Sequence, residues 1–276
     1  MPGSLSESGG ANFSLLSSPA ACFSLRVTGA ILNAAAIIIG GIIGLTRPQP
    51  FTAPTQVFFK MILGVLVMFF GLRLTWLSIG GPAMLVLKQL VIALGAVMLG
   101  NLLGKLIGLQ KLSNHLGQHA RRLIEANRPN APHRFSNGMN TCAILFCAAP
   151  LGLVGAVLDA LPVTAGDTGY YYPLAIKAMM DGLAMMGFVS MFGFGAIVSA
   201  LPVFVFFGTI TMATHSFLEP FLRSYLPGQV LLDSVNATGG LLVCTVGVVV
   251  FELRRVELAN YLPALAIAPL LTWIWK

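Results

Sequence analysis

Charged residues are scarce in this 276-residue sequence: Asp, Glu, Lys and Arg together make up 9%, against roughly 25% in an ordinary soluble domain. Apolar residues make up 57% and the mean hydropathy is +0.86. This balance excludes a soluble globular protein. Acids are fewer than bases, 9 against 16, for a net charge of +7. The bases are scattered among apolar runs and form no polar face, so nucleic acid is not expected as a partner. Cysteines number four. Cys22 lies in a polar stretch, whereas Cys142, Cys147 and Cys244 lie in apolar segments, where a thiol packs like any small core group. Neither metal-ligand spacing nor a disulfide framework is present. His-Glu-x-x-His and Gly-x-Ser-x-Gly are absent too, and the acids are too few for a metal centre, so no enzyme, cofactor or metal is read from the chain. Residues 1–25 contain no Lys or Arg and only short apolar pieces, unlike a secretory signal, and read as a disordered polar tail.

What is abundant is apolar sequence in long runs. A bilayer core of about 30 Å needs roughly 20 apolar residues in helix. Eight segments qualify, near 27–46, 57–79, 84–106, 138–160, 173–197, 202–224, 230–251 and 258–275. Arg47-Pro48-Gln49-Pro50, Gly80-Gly81-Pro82, Leu201-Pro202 and Pro227-Gly228 punctuate them. The prediction is an all-α polytopic membrane helix bundle, one transmembrane domain over 26–276, with the lipid bilayer as its first partner. The one long connection, 107–137, places Leu109, Leu112, Leu116, Leu123 and Ile124 at helical spacing beside Lys111, His115, His119, Arg121, Arg122 and Glu125. Such a basic amphipathic helix lies in the headgroup plane or packs on the bundle as a solvated connector. His115 and His119 are spaced i, i+4, but no carboxylate or cysteine nearby completes a metal site.

Lys and Arg concentrate in this third loop and in the seventh, at Arg254 and Arg255. Both loops therefore belong to the cytoplasm. The fourth loop, from Asp159 through Asp167 to Tyr170-Tyr171-Tyr172, has no cation and belongs outside, as do both termini. The tyrosines, Trp76, Trp273 and Trp275 fall where an outer aromatic belt sits.

The run from Asn33 recurs loosely from Asn140 and from Asn236, and the run from Lys60 resembles that from Lys177. These matches divide the chain into units of about 27–106 and 138–224 and a partial unit 230–275. Three spans per unit imply inverted repeats, as in many secondary transporters. Glycines cluster in spans 1, 5 and 7, where they let helices approach closely. Gly239 and Gly240 after Asn236 alternatively mark a broken helix lining a pathway. Lys60, Lys88 and Lys105 lie near span ends and can snorkel. Asp181 cannot, being roughly 12 Å inside its span. Lys177, one turn away, or Arg73, at similar depth, can neutralise it, either as a structural ion pair or as part of a transport or proton-relay path. His215 reads as a satisfied hydrogen-bonding group.

The runs GAILNAAAIIIGGIIGL from Gly29, LAIKAMMDGLAMMGFVSMFGFGAIVSALPVFVFFGTITM from Leu174 and GGLLVCTVGVVVFELRRVELANYLPALAIAP from Gly239 together resemble the bacterial domain-of-unknown-function family 554, over about residues 28–275. The resemblance implies a multi-pass protein of the bacterial inner membrane. It maps a Lys-x-x-x-Asp-Gly element onto Lys177, Asp181 and Gly182, and an Asn-containing first-span element onto Asn33. The expected function is a secondary transporter or channel-like permease for a small solute or ion. Asp181, Lys177, Asn33, Asn236, Gly239, Gly240 and Arg73 are its candidate pathway residues, and a homo-oligomer is compatible with it. The alternative is a non-transporting membrane scaffold or sensor whose amphipathic loop recruits a partner.

Overall fold

Hydrocarbon offers the backbone no hydrogen-bond partner, so a chain this apolar must satisfy its amides within helices. The computed structural model describes residues 27–46, 52–125, 134–163, 169–225, 229–254 and 256–275, and among them there is no strand beyond an isolated Pro162–Gly169 bridge. The 1–25 tail lies outside the described residues. The helices are α1 Thr28–Thr46, α2 Ala53–Ser78, α3 Ala83–Ile107, α4 Leu109–Glu125, α5 Arg134–Cys147, α6 Pro150–Ala160, α7 Tyr172–Phe192, α8 Phe194–Val198, α9 Ala200–Ala213, a π-turn Thr214–Leu218, α10 Glu219–Tyr225, α11 Val230–Val250, a 3-10 turn Leu258–Tyr261 and α12 Ala264–Ile274. Among the described residues, six stretches are long and apolar enough to cross a membrane. The bent pair α5–α6 makes a seventh if taken as one span, and Leu258–Ile274 is a shorter apolar stretch.

Three boundaries differ from the sequence reading, each for a backbone reason. The expected continuous span 138–160 is split, because Pro150 has no N–H and holds Ala149 extended (φ −69°, ψ 120°), so α5 and α6 meet at 64°. The expected break at Leu201-Pro202 lies inside a helix, since Pro202 sits in the first turn of α9, where its N–H is not required. The reversal falls instead at Gly193, whose φ of 68° only glycine adopts readily.

Contacts across the tightest interfaces fix the helix directions. Gly29 faces Leu174, Gly40 faces Gly182 and Gly44 faces Met186, so α1 and α7 run parallel. Gly64 meets Phe251, Gly71 meets Cys244 and Thr75 Oγ1 donates to Ala237 O at 3.3 Å, so α2 and α11 are antiparallel. Gly104 against Asn260 and Gly100 against Ala264 set α3 antiparallel to the last segment. In these seams backbone touches backbone, the contact that holds helices together where water drives nothing.

The core has two main clusters. One gathers Ile37, Phe146, Leu174, Met185, Val203 and Phe207, and the other Leu63, Val67, Leu74, Leu158, Val243 and Ala264. The outer surface is equally apolar: Phe58, Val65, Met98 and Leu102 are all exposed. A surface as apolar as the core is what a lipid environment requires.

The connection after α3 forms the expected amphipathic helix, α4. It opens after Gly108, whose left-handed backbone (φ 77°) caps α3. Gln110 anchors it, its N–H donating to Asn260 Oδ1 at 3.0 Å while its own Oε1 accepts from the Ala259 N–H at 3.3 Å. Loops three and seven thus share one end of the bundle, the basic end, opposite the tyrosine end at Tyr170–Tyr172. Ala120 is buried and Ile124 packs on the first cluster, whereas Leu112, Leu116, Lys111, His115, His119 and Arg122 are exposed.

Candidate functional site

Lys177 and Asp181 stand one turn apart on α7, and Asp181 lies about 13 Å along a helix about 30 Å long. Their side chains form an ion pair, with Lys177 2% and Asp181 7% exposed. Four other elements enclose them. Phe146 on α5 and Phe207 on α9 hold their ring centroids 5.7 and 5.1 Å from Lys177 Nζ, within cation–π range. Gly152 on α6 gives the lysine stem its room, since a Cβ there would lie 2.6 Å from Lys177 Cε. Asn33, fully buried on α1, lies with its amide donor side toward the Asp181 carboxylate, while its Oδ1 has no hydrogen-bond partner among the described residues.

Cys147, the last residue of α5, is within electrostatic reach of both Lys177 and Asp181. The α5–α6 break therefore abuts the ion pair. A helix end leaves carbonyls without intrahelical partners and a helix start leaves amides so. A discontinuous helix beside a buried charge is the arrangement from which membrane proteins build binding sites at mid-depth. The sequence reading treated this span as unbroken.

The other candidates lie elsewhere. Arg73 is exposed on α2, its guanidinium 5.5 Å from the Tyr172 ring centroid, and is not the partner of Asp181. That ring belongs to an aromatic cluster in which Tyr172 stacks on Phe70 at 4.5 Å and Tyr170 Oη donates to Phe70 O at 2.9 Å. Burial pushes the Tyr170 phenol up to about 12, which keeps it a donor. Asn236 is buried on α11 and donates to Pro162 O at 3.1 Å. Gly239 and Gly240 do not mark a broken helix: α11 is continuous through them, Gly239 packing on Leu158 and Gly240 on Gly71 and Thr75. The residues matched between the repeat units sit in unlike surroundings. Lys60 is exposed and pairs with Glu252 at 2.7 Å, and Asn140 is exposed where Asn33 is buried.

Two polar arrangements were not anticipated. Asp159, read as a loop residue, is buried at the end of α6 and accepts the Gly29 N–H at 3.1 Å, capping the start of α1 where the helix dipole favours an anion. Glu219 bridges His215 at 2.6 Å and Arg223 at 2.9 Å along one stripe of the π-turn and α10. The i, i+4, i+8 spacing of those three residues was the available signal. An apolar groove of about 610 Å³, lined by Leu153, Val157, Leu222, Leu231, Pro269 and Trp273 among others, lies apart from the ion pair. No group of three metal-ligating side chains occurs among the described residues.

Residues 28–273 match the model of a family described as "Protein of unknown function (DUF554)", and the chain belongs to that family. It is 26% identical over 250 residues to the uncharacterized protein YqgA of Escherichia coli (strain K12), covering 90% of this chain and 97% of that one. To the uncharacterized membrane protein YdfK of Bacillus subtilis (strain 168) it is 24% identical over 246 residues, covering 89% and 96%. No solved structure matches. The chain is thus a helical membrane protein of a family of unknown function.

Proposed function

We propose that the protein is a secondary transporter or channel-like permease for a small solute or ion, not an enzyme, in the inner membrane of a bacterium. One observation carries the reading: a buried Lys177–Asp181 pair with the unpartnered Asn33 Oδ1 beside it, set against the broken helix α5–α6. A charge at this depth is costly and must be repaid by structure or by use. A purely structural pair does not account for the unpartnered Asn33 oxygen beside it. In this reading the chain crosses eight times, partly as inverted three-span units, with the basic end in the cytoplasm and α4 against the lipid headgroups. Gly240 serves packing of the α2–α11 seam, while Asn236 and Gly239 hold α11 against Pro162 and the α6 residue Leu158. A scaffold or sensor role draws its support from α4, whose docking on the 258–261 turn makes a second accessible cytoplasmic surface.

The test is solute flux in reconstituted vesicles. Wild-type protein is expected to move a solute, and Asp181→Asn to abolish the movement or its pH dependence. A wild-type protein that moves none of a broad panel of ions, organic acids and amino acids would leave the scaffold reading standing.

A further inference from the structure

We propose that Asp181, Asn33, Phe146 and Phe207 form a binding site for a small primary ammonium ion, ammonium itself or a short alkylamine, taken up in exchange for one proton of Lys177. The inference rests on the permease reading and names its substrate class.

The position already holds a primary ammonium. Lys177 Nζ bonds to Asp181 and faces two ring centroids at 5.1 and 5.7 Å, the combination of carboxylate and aromatic faces that recognises organic ammonium groups. Lys177 therefore acts as a tethered stand-in for the substrate. Asn33 is the second sign of a ligand: it is wholly buried, beside the carboxylate, and its Oδ1 has no hydrogen-bond partner among the described residues. An untethered ammonium has N–H groups to spare for the Asn33 oxygen.

Charge balance sets the stoichiometry. Among the described residues, the titratable groups facing Lys177 are Asp181 on its own helix and Cys147 at the end of α5. From the other packed elements α1 presents Asn33, α6 presents Gly152 and α9 presents Phe207, none of which titrates. One carboxylate balances one positive charge, and a second cation without a counter-ion is costly at this depth. So when R–NH3+ pairs with Asp181, the Lys177 ammonium releases one proton to water and stays as a neutral amine. One positive charge enters, one leaves, and only an N–H bond breaks. Anions are disfavoured because the ring faces carry the negative end of the aromatic quadrupole. The α5–α6 break beside Cys147 supplies the hinge through which the pair can open.

The experiment is titration calorimetry of the full-length protein in detergent with methylammonium chloride, repeated in buffers of different ionisation enthalpy to count protons. Binding is expected to release one proton, and the apparent affinity to rise about tenfold per pH unit. Asp181→Asn should not bind. Lys177→Arg keeps a cation on Asp181 but cannot give up its proton, so it should lose binding while the pair persists; the wild-type proton count stands independently if that variant does not fold. Binding without proton release, binding unchanged in Asp181→Asn, or no binding of methylammonium or ammonium from pH 6 to 9 would each overturn the proposal. Flux in vesicles separates this failure from that of the permease reading. Asp181-dependent movement of another solute without methylammonium binding refutes only the inference, whereas proton-linked binding with no flux of any solute refutes only the permease.

Discussion

Replacing Asp181 by Asn takes the counter-ion from an ammonium that is 2% exposed. The two rings over Lys177 contribute about 0.5–2 kcal/mol each, but they do so already in the wild type and cannot make up the loss. Removing one partner of a buried pair costs about 3–5 kcal/mol, because the partner left behind either stays as an uncompensated charge or has to change its protonation state to avoid one. At roughly 2–4 °C per kcal/mol for a domain of this size, Asp181→Asn should lower the unfolding temperature in detergent by on the order of 10 °C. Removing both charges should behave differently. In Lys177→Met with Asp181→Leu no charge is stranded, and the thioether fills the lysine's path between the rings, so stability should return to within about 1 kcal/mol of wild type or exceed it. Neither variant should transport. The assay is a thermal-unfolding series on the wild type, Asp181→Asn and the double variant at equal detergent and salt. An Asp181→Asn protein that melts with the wild type would refute the reasoning, since Lys177 would then carry no charge in the folded protein or would reach water.

Three further outcomes follow from the packing and the surface. Gly40→Ala pushes a methyl into the Gly182 backbone, which cannot give way as a side chain would, so a loss of about 1–3 kcal/mol is expected; Gly187→Ala, with nothing within 4 Å, should be silent in the same thermal assay. Gln110→Ala removes the side-chain bond that accepts the Ala259 N–H, about 1 kcal/mol, and leaves the backbone bond to Asn260 Oδ1 in place, so hydrogen exchange in the 258–261 turn should accelerate while the spans stay protected. Lys60 holds the exposed Glu252 carboxyl below the usual carboxylate range, so the favourable pairing is complete at neutral pH and lost as pH falls through the lowered value; because both groups face solvent, Glu252→Gln should leave the melting temperature unmoved, and a measurable drop would show the pair to be structural.

Composition and run length were enough to read helices, their approximate number and the surface helix α4, because lipid leaves an apolar chain few alternatives. The Lys177–Asp181 pair was legible for a related reason: four residues bring two side chains to one helix face, and an acid that deep must find a partner. Apart from Asn33, its surroundings were not legible. Depth along a helix says nothing of azimuth, so Arg73 stood as a second possible partner of Asp181, yet it points outward to Tyr172. Hydropathy counts apolar residues and not backbone hydrogen bonds, so the span through Pro150 looked whole, and Asp159 after its apolar run looked like loop. At Gly239-Gly240 the sequence left a break open beside close packing, because paired glycines weaken a helix; in α11 Gly240 admits the backbone of α2 and Gly239 the Leu158 side chain.

Helix direction decides what the α5–α6 bend means, and with it whether the break lies at mid-depth. Two bent helices can dip into a membrane and return, or cross it. The six residues between α1 and α2 span at most about 20 Å, and the connection between α2 and α3 is shorter, so each helix starts at the end where its predecessor stops. α3 accordingly runs parallel to α1 and finishes at the basic end, where Gln110 ties α4 to Asn260. α7 also runs parallel to α1, and Leu174 near its start faces Gly29 near the start of α1. The chain must therefore travel from the basic end to the tyrosine end between α4 and α7, and only α5–α6 lies between. A re-entrant pair would return residue 167 to the side of residue 122; a crossing pair separates them. In a chain with the four native cysteines replaced, Asp167→Cys should react with an impermeant maleimide added outside sealed cells, and Arg122→Cys only after the membrane is opened. Labelling of both from one side would refute the crossing, remove the break from the interior and detach the buried pair from any pathway, whereas the reverse pattern would keep the crossing and invert the orientation.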